Sequence, residues 1–268
     1  MDSRLFVVPP SGGTGSRLKS VLRTAAVVTA TLVSVCAQQP PHTFGALTYP
    51  ARGNIQIDEG TVELYVISGF DSEEEWKHTS SYAVLFDVVF PEANWHYVLN
   101  FITWHHGISM VGYGKPQHSY VSFGHPHWKP GEHRTVAWTW SGRKRSLIVD
   151  GKYNYVGKHG APGDSRDNIV EGWIQGDLTN AKLVLGAGVF SIDEIRISSI
   201  ARTPEELIEL QKKPPVADAH TLLLDHCDGG PAEIISGFSG EKGGTLGGSY
   251  EIIDGKYGKA IKLWKEGK

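Results

Sequence analysis

Tryptophan and histidine stand side by side three times in the middle of this sequence: Trp95-His96, Trp104-His105-His106 and His125-Pro126-His127-Trp128. Such residues suit carbohydrate, because a sugar ring offers an apolar C–H face to an indole and a rim of hydroxyls to polar neighbours. Trp104, His105 and Trp128 are the candidates for that contact. The same indoles can equally fill a core, since in a strand Trp95, Tyr97, Leu99 and Phe101 share one face while His96, Val98, Asn100, Ile102 and Trp104 share the other. Zinc is a poor match: His105 and His106 point to opposite faces of an extended chain, Pro126 interrupts His125 and His127, and the sequence positions no third ligand. No G-x-S-x-G turn and no phosphate-binding loop occurs.

The elements that must position these residues are strands. His133 to Trp140 alternates with period two, placing Val136, Trp138 and Trp140 on one face. The polar run 141–145 turns the chain into a second strand, Ser146 to Val149, which ends at the turn signal Asp150-Gly151. Val62, Leu64 and Val66 alternate in the same way. Further strands are expected at Tyr82 to Phe90, Trp95 to Trp104, Ile108 to Tyr113, Ser119 to Phe123, Ala181 to Leu185 and Phe190 to Ser198. The stretch from Lys152 to Gly176, rich in Gly, Asp, Asn and Pro, is expected to be a long surface loop. Thr203, Pro204 and Glu206 form a capping box with Pro at the first helical position, so a short helix is expected before Pro214-Pro215.

Several of these runs resemble the laminin-G-like jelly-roll domains of the concanavalin A-like lectin/glucanase superfamily. The resemblance lies in Gly60-Thr61-Val62-Glu63-Leu64-Tyr65-Val66, in the hairpin holding Val136-Ala137, Thr139-Trp140 and Val149-Asp150-Gly151-Lys152, in Phe190 to Ile197, and in Ala201 to Leu207. It implies an all-β, antiparallel jelly-roll β-sandwich with one short helix near residues 204–213. Two pieces stand out of order. His220 to Gly229 resembles the family's opening strand and Ile253 to Leu263 its second, yet both follow the rest of the domain. Residues 38–213 would then form the jelly-roll body. The segment 214–268 either completes it as a circular permutant or begins a truncated second repeat. In the first case Thr221 to Asp228 should lie beside Phe190 to Ser198, within one chain or by strand exchange between two.

The resemblance also implies a function class. Hydrolases of the superfamily place carboxylates at alternate positions on one strand so that both face a cleft. Here Glu59 and Glu63 are spaced differently, and the adjacent Asp193 and Glu194 would point to opposite faces. The reading is therefore a non-catalytic, lectin-like module for carbohydrate or surface adhesion, with a divergent glycan hydrolase or lyase and a protein-interaction domain as the alternatives. No cofactor is required. Many relatives hold structural calcium where first and last strands meet, which would fall to Asp193 and Asp228, although a hydrogen bond to a neighbouring loop or a turn would explain the same two residues.

With 268 residues, 40% of them hydrophobic and 21% charged, the chain can bury a large core. Residues 1–37 read as a secretory signal peptide: Arg17, Lys19 and Arg23 precede the apolar run Ala25 to Val35, which ends in Val35-Cys36-Ala37. Cleavage is expected after Ala37. A lipid on Cys36 is the lesser alternative, because Val35 stands where a lipoprotein signal carries a small residue. The chain bears a net charge of -3, and loss of the basic leader makes the product more acidic, which argues against nucleic acid or an anionic membrane surface as partner. The apolar run is too short to span a bilayer comfortably. Without Cys36, Cys227 is the one remaining thiol. A secreted or periplasmic protein binding carbohydrate or an extracellular protein, as monomer or strand-exchanged dimer, is the expectation.

Overall fold

Seventeen strands in two antiparallel sheets account for most of the computed structural model, which describes residues 46–69, 82–91, 95–102, 107–113, 119–123, 127–142, 144–153, 168–169, 176–185, 190–228, 234–235 and 244–264. In chain order they are β1 (Ala46–Pro50), β2 (Glu59–Ser68), β3 (Tyr82–Phe90), β4 (Trp95–Ile102), β5 (Gly107–Tyr113), β6 (Ser119–Phe123), β7 (His133–Ser141), β8 (Lys144–Val149) and β9 (Lys152–Tyr153). They continue as β10 (Asn168–Ile169), β11 (Lys182–Leu185), β12 (Phe190–Ser198), β13 (Thr221–Asp225), β14 (Ile234–Ile235), β15 (Thr245–Gly247), β16 (Ser249–Asp254) and β17 (Lys259–Trp264). One sheet has seven strands in the order β15-β1-β11-β3-β4-β5-β6. The other has ten, along β10-β8-β7-β2-β12-β13-β14, with β9 joined to β8 and the β16–β17 hairpin joined to β12. This is the expected jelly-roll β-sandwich.

The layers meet where the alternation places them. Val62, Leu64 and Val66 of β2, Val136, Trp138 and Trp140 of β7, and Ile192, Ile195 and Ile197 of β12 pack into one cluster with Leu47, Tyr49, Phe86, Val88, Leu183 and Leu185 of the smaller sheet. Both β7 tryptophans are fully buried. Trp138 meets Phe86 of the facing sheet edge to face at 6.0 Å and Trp140 at 5.4 Å, so aromatic contact adds to simple area burial.

The C-terminal strands belong to this same sandwich. β13 runs beside β12, with Ile195 opposite Asp225 and Ile197 opposite Leu223, and β17 runs beside the other end of β12, with Ile192 opposite Ile261. Leu223, Cys227, Ile261 and Leu263 enter the core cluster.

Two local expectations are corrected. Ser141 of β7 pairs with Lys144, so β8 begins two residues earlier than its apolar run. The run Ile253 to Leu263 is not one strand. Its Gly255-Lys256-Tyr257-Gly258 breaks it into the β16–β17 hairpin, with Asp254 opposite Lys259.

The outer face of the larger sheet is covered by the chain that links β12 to β13. Thr203 caps a helix, α1 (Pro204–Leu207), in the expected capping box, and a 3-10 turn over Ile208–Gln211 follows. Leu207 packs on Ala137 and Ile148. Glu63 of β2 accepts two bonds from Arg196 of β12, and Arg202 reaches Asp218 at 2.6 Å. Charges so deeply placed persist because each has its partner.

Replacing Trp140 by Ala should cost about 3–5 kcal/mol, lowering the urea midpoint; an unchanged midpoint would contradict the packing. Arg196→Met should cost a comparable amount, about 3–5 kcal/mol, by removing both hydrogen bonds to buried Glu63 and leaving it only Arg202 at 3.8 Å, and the loss should shrink when Glu63→Gln is added. Ending the chain at Lys213 removes β13 and β17 from β12, so the fragment should be insoluble; a soluble, cooperatively unfolding fragment would contradict that.

Candidate functional site

Trp128 does not present a ring to solvent. Its side chain is 0% exposed, edge-on to Phe190 at 5.8 Å with the Arg134 guanidinium 6.0 Å from its ring centre. The cause is the turn that follows: Glu132 N–H bonds back to the Lys129 carbonyl, and Gly131 N–H donates to the Ser68 carbonyl at 2.6 Å. This ties the segment to the end of β2 and leaves Trp128 facing the core. As a sugar platform Trp128 is thereby replaced by a structural role, while its neighbour His127 is exposed.

Trp104 and His105 lie outside the described residues. The strands on either side of them pair with each other, the last pair being Ile102 with Gly107. Trp95, Tyr97 and Leu99 are in register with Phe90, Val88 and Phe86, all three core residues, and His96 and Val98 are in register with Val89 and Asp87.

Asp193 and Asp228 come together around one strand junction. Against β2, the register of β12 slips between Ile192 and Glu194, making Asp193 the extra residue of a bulge. On its other side β12 pairs with β17 up to Ile192 and with β13 from Ile195, so Asp193 and Glu194 occupy the interval where one neighbour gives way to the next. The bulge overrides the alternation that would have sent one of them into the core. Both are buried, at 0% and 1% exposure.

The junction is acidic and dry. Asp225, at the end of β13, accepts from the Tyr49 hydroxyl at 2.6 Å and from the Cys227 N–H at 2.7 Å. Glu194 meets His226 Nδ1 at 2.6 Å. Burial, reinforced by the carboxylates of Asp193, Asp228 and Asp225, pushes the Glu194 carboxyl up to about 9, so it holds its proton at neutral pH. Burial likewise raises Asp193, Asp225 and the Cys227 thiol. Among the described residues no group of three or more His, Cys, Asp or Glu side chains is arranged to hold a metal ion.

A second cluster was not visible in the sequence. Tyr65 of β2 lies 5.9 Å from His133 and 5.4 Å from Tyr257, and Lys256 Nζ stands 5.1 Å from each tyrosine ring. These residues come from β2, β7 and the β16–β17 turn, and only tertiary pairing joins them.

The sequence matches no protein-family model and no curated protein. Among solved structures it is similar to a putative carbohydrate binding protein from Bacteroides ovatus, with 14% identity and a TM-score of 0.48 over 84% of this chain and 58% of that one. It is also similar to domain 4 of an extracellular GH43 arabinanase from Geobacillus stearothermophilus in complex with arabinotriose, with 17% identity and a TM-score of 0.40 over 59% of this chain and 68% of that one. A third likeness is to domains LG4-5 of the mouse laminin alpha1 chain, with 16% identity and a TM-score of 0.37 over 68% of this chain and 44% of that one. These are likenesses only; the jelly-roll sandwich rests on the strand pairing itself.

Proposed function

We propose that this chain is a secreted, non-catalytic lectin-like module that binds carbohydrate. The observation that carries the reading is the closure of the described carboxylates that could have served hydrolysis, while Trp104 and His105 remain the candidate sugar contacts on the strength of the sequence. Asp193, Glu194, Asp225 and Glu63 are all buried at 3% exposure or less, and Glu63 is bonded to Arg196, so none of these four offers an open pair for glycosidic chemistry. Export follows from the leader-like residues 1–37, which lie outside the described residues. No helix among the described residues is long and apolar enough to cross a membrane.

A glycan array probed with the purified protein should give a saccharide signal. Trp104→Ala should weaken it about tenfold or more, a loss of about 1.4 kcal/mol, with the unfolding midpoint unchanged. Binding that survives both Trp104→Ala and His105→Ala would place the site elsewhere, and loss of folding in Trp104→Ala would assign that ring to the core.

A further inference from the structure

The two carboxylates to which the laminin-G-like resemblance assigns calcium are engaged in a different task. Asp193, in the β12 bulge, accepts the backbone N–H of Lys256 through Oδ2 at 2.6 Å. Asp228, just beyond β13, accepts the backbone N–H of Lys259 through Oδ1 at 2.6 Å. Lys256 lies in the turn of the β16–β17 hairpin, which closes on itself through Gly255 N–H to the Gly258 carbonyl at 2.9 Å, and Lys259 is the first residue of β17. Thus one acid grips each side of the turn.

The fit is close enough to dictate the turn's residues. A Cβ at Gly255 would stand 2.6 Å from Asp193 Oδ1, and one at Gly258 would stand 2.1 Å from Asp228 Oδ1. Gly258 also has φ +136, a conformation that side chains rarely adopt. The glycines are what let the backbone come within hydrogen-bonding range of the acids.

Calcium wants about six to eight oxygens at roughly 2.3–2.6 Å. Here one oxygen of each acid is committed to an amide. Asp193 Oδ1 has no hydrogen-bond partner, but the Gly255 backbone closes over it. With no group of three or more acidic, His or Cys side chains arranged to hold a metal ion among the described residues, the site does not fit the ion.

We infer that Asp193 and Asp228 form a metal-independent clamp, which fastens the C-terminal hairpin to the β12–β13 junction by accepting hydrogen bonds from its backbone amides. Lysine side chains complete it. Lys256 Nζ donates to the Gln211 carbonyl at 2.6 Å while lying over Tyr65 and Tyr257, and Lys259 Nζ pairs with Asp254 at 2.6 Å. The turn thereby also reaches the linker segment that covers the outer face of the sheet.

The test is thermal unfolding of the purified full chain, first stripped with EDTA and then given millimolar calcium. The clamp requires the same Tm in both conditions. Asp228→Asn keeps an oxygen acceptor for Lys259 N–H and should leave Tm within about 2 °C of the parent, whereas Asp228→Ala and Gly258→Val should each lower it by about 4 °C or more. A rise in Tm of several degrees on adding calcium, abolished by Asp228→Asn, would overturn the inference in favour of an ion site. An unchanged Tm in Asp228→Ala would overturn it as well, by showing that the contact holds nothing; since Asp228 is exposed, that variant decides the matter even if Gly258→Val fails to fold. None of these outcomes depends on carbohydrate binding.

Discussion

The sandwich depends on β12, a nine-residue strand with every residue buried. It is an inner strand of the larger sheet, flanked by β2 along its whole length on one side and by β17 and then β13 on the other. A strand covered on both faces has nowhere to place polar side chains cheaply, yet this one carries Asp193, Glu194 and Arg196. Each is therefore tied to a specific partner from another segment: Arg196 to Glu63, Glu194 to His226 and Asp193 to the Lys256 amide. The polar groups of β12 specify which segments dock around it, and the aliphatic groups on its other face drive the docking.

How much of this was legible follows from which signals are local. Alternation in Val62 to Val66 and in Val136 to Trp140 fixes those strands and their inward faces, because period two needs only neighbours in sequence. The capping box at Thr203 and Glu206 is local in the same sense, and it forms as expected. Trp128 was not legible. Its Pro- and Gly-flanked run has no period, and a turn bonded to the distant Ser68 decides which way it faces. Nor was the Asp193 bulge, since alternation assumes one residue per step and the extra one becomes visible only against the register of β2. The β16–β17 turn lies between these cases. Asp254-Gly255 and Gly258 are turn signals in their own right, but similarity to a continuous family strand outweighed them.

The same distinction separates fold from function in this chain. The β7 tryptophans, Trp128, Asp193, Glu194 and Asp225 are buried and serve the packing of two sheets and the fastening of the C-terminal hairpin. A binding function must therefore draw on residues that this packing leaves over. The tyrosines at the β16–β17 turn are partly consumed, because Lys256 lies against both rings and is bonded to Gln211. The β4–β5 pair stands apart from that network, since its other partners are β3 and β6 and not the β12 junction. Change within that pair would leave the strand pairing around β12 untouched. Such independence is what lets one sandwich keep its core while different members of a fold take on different ligands.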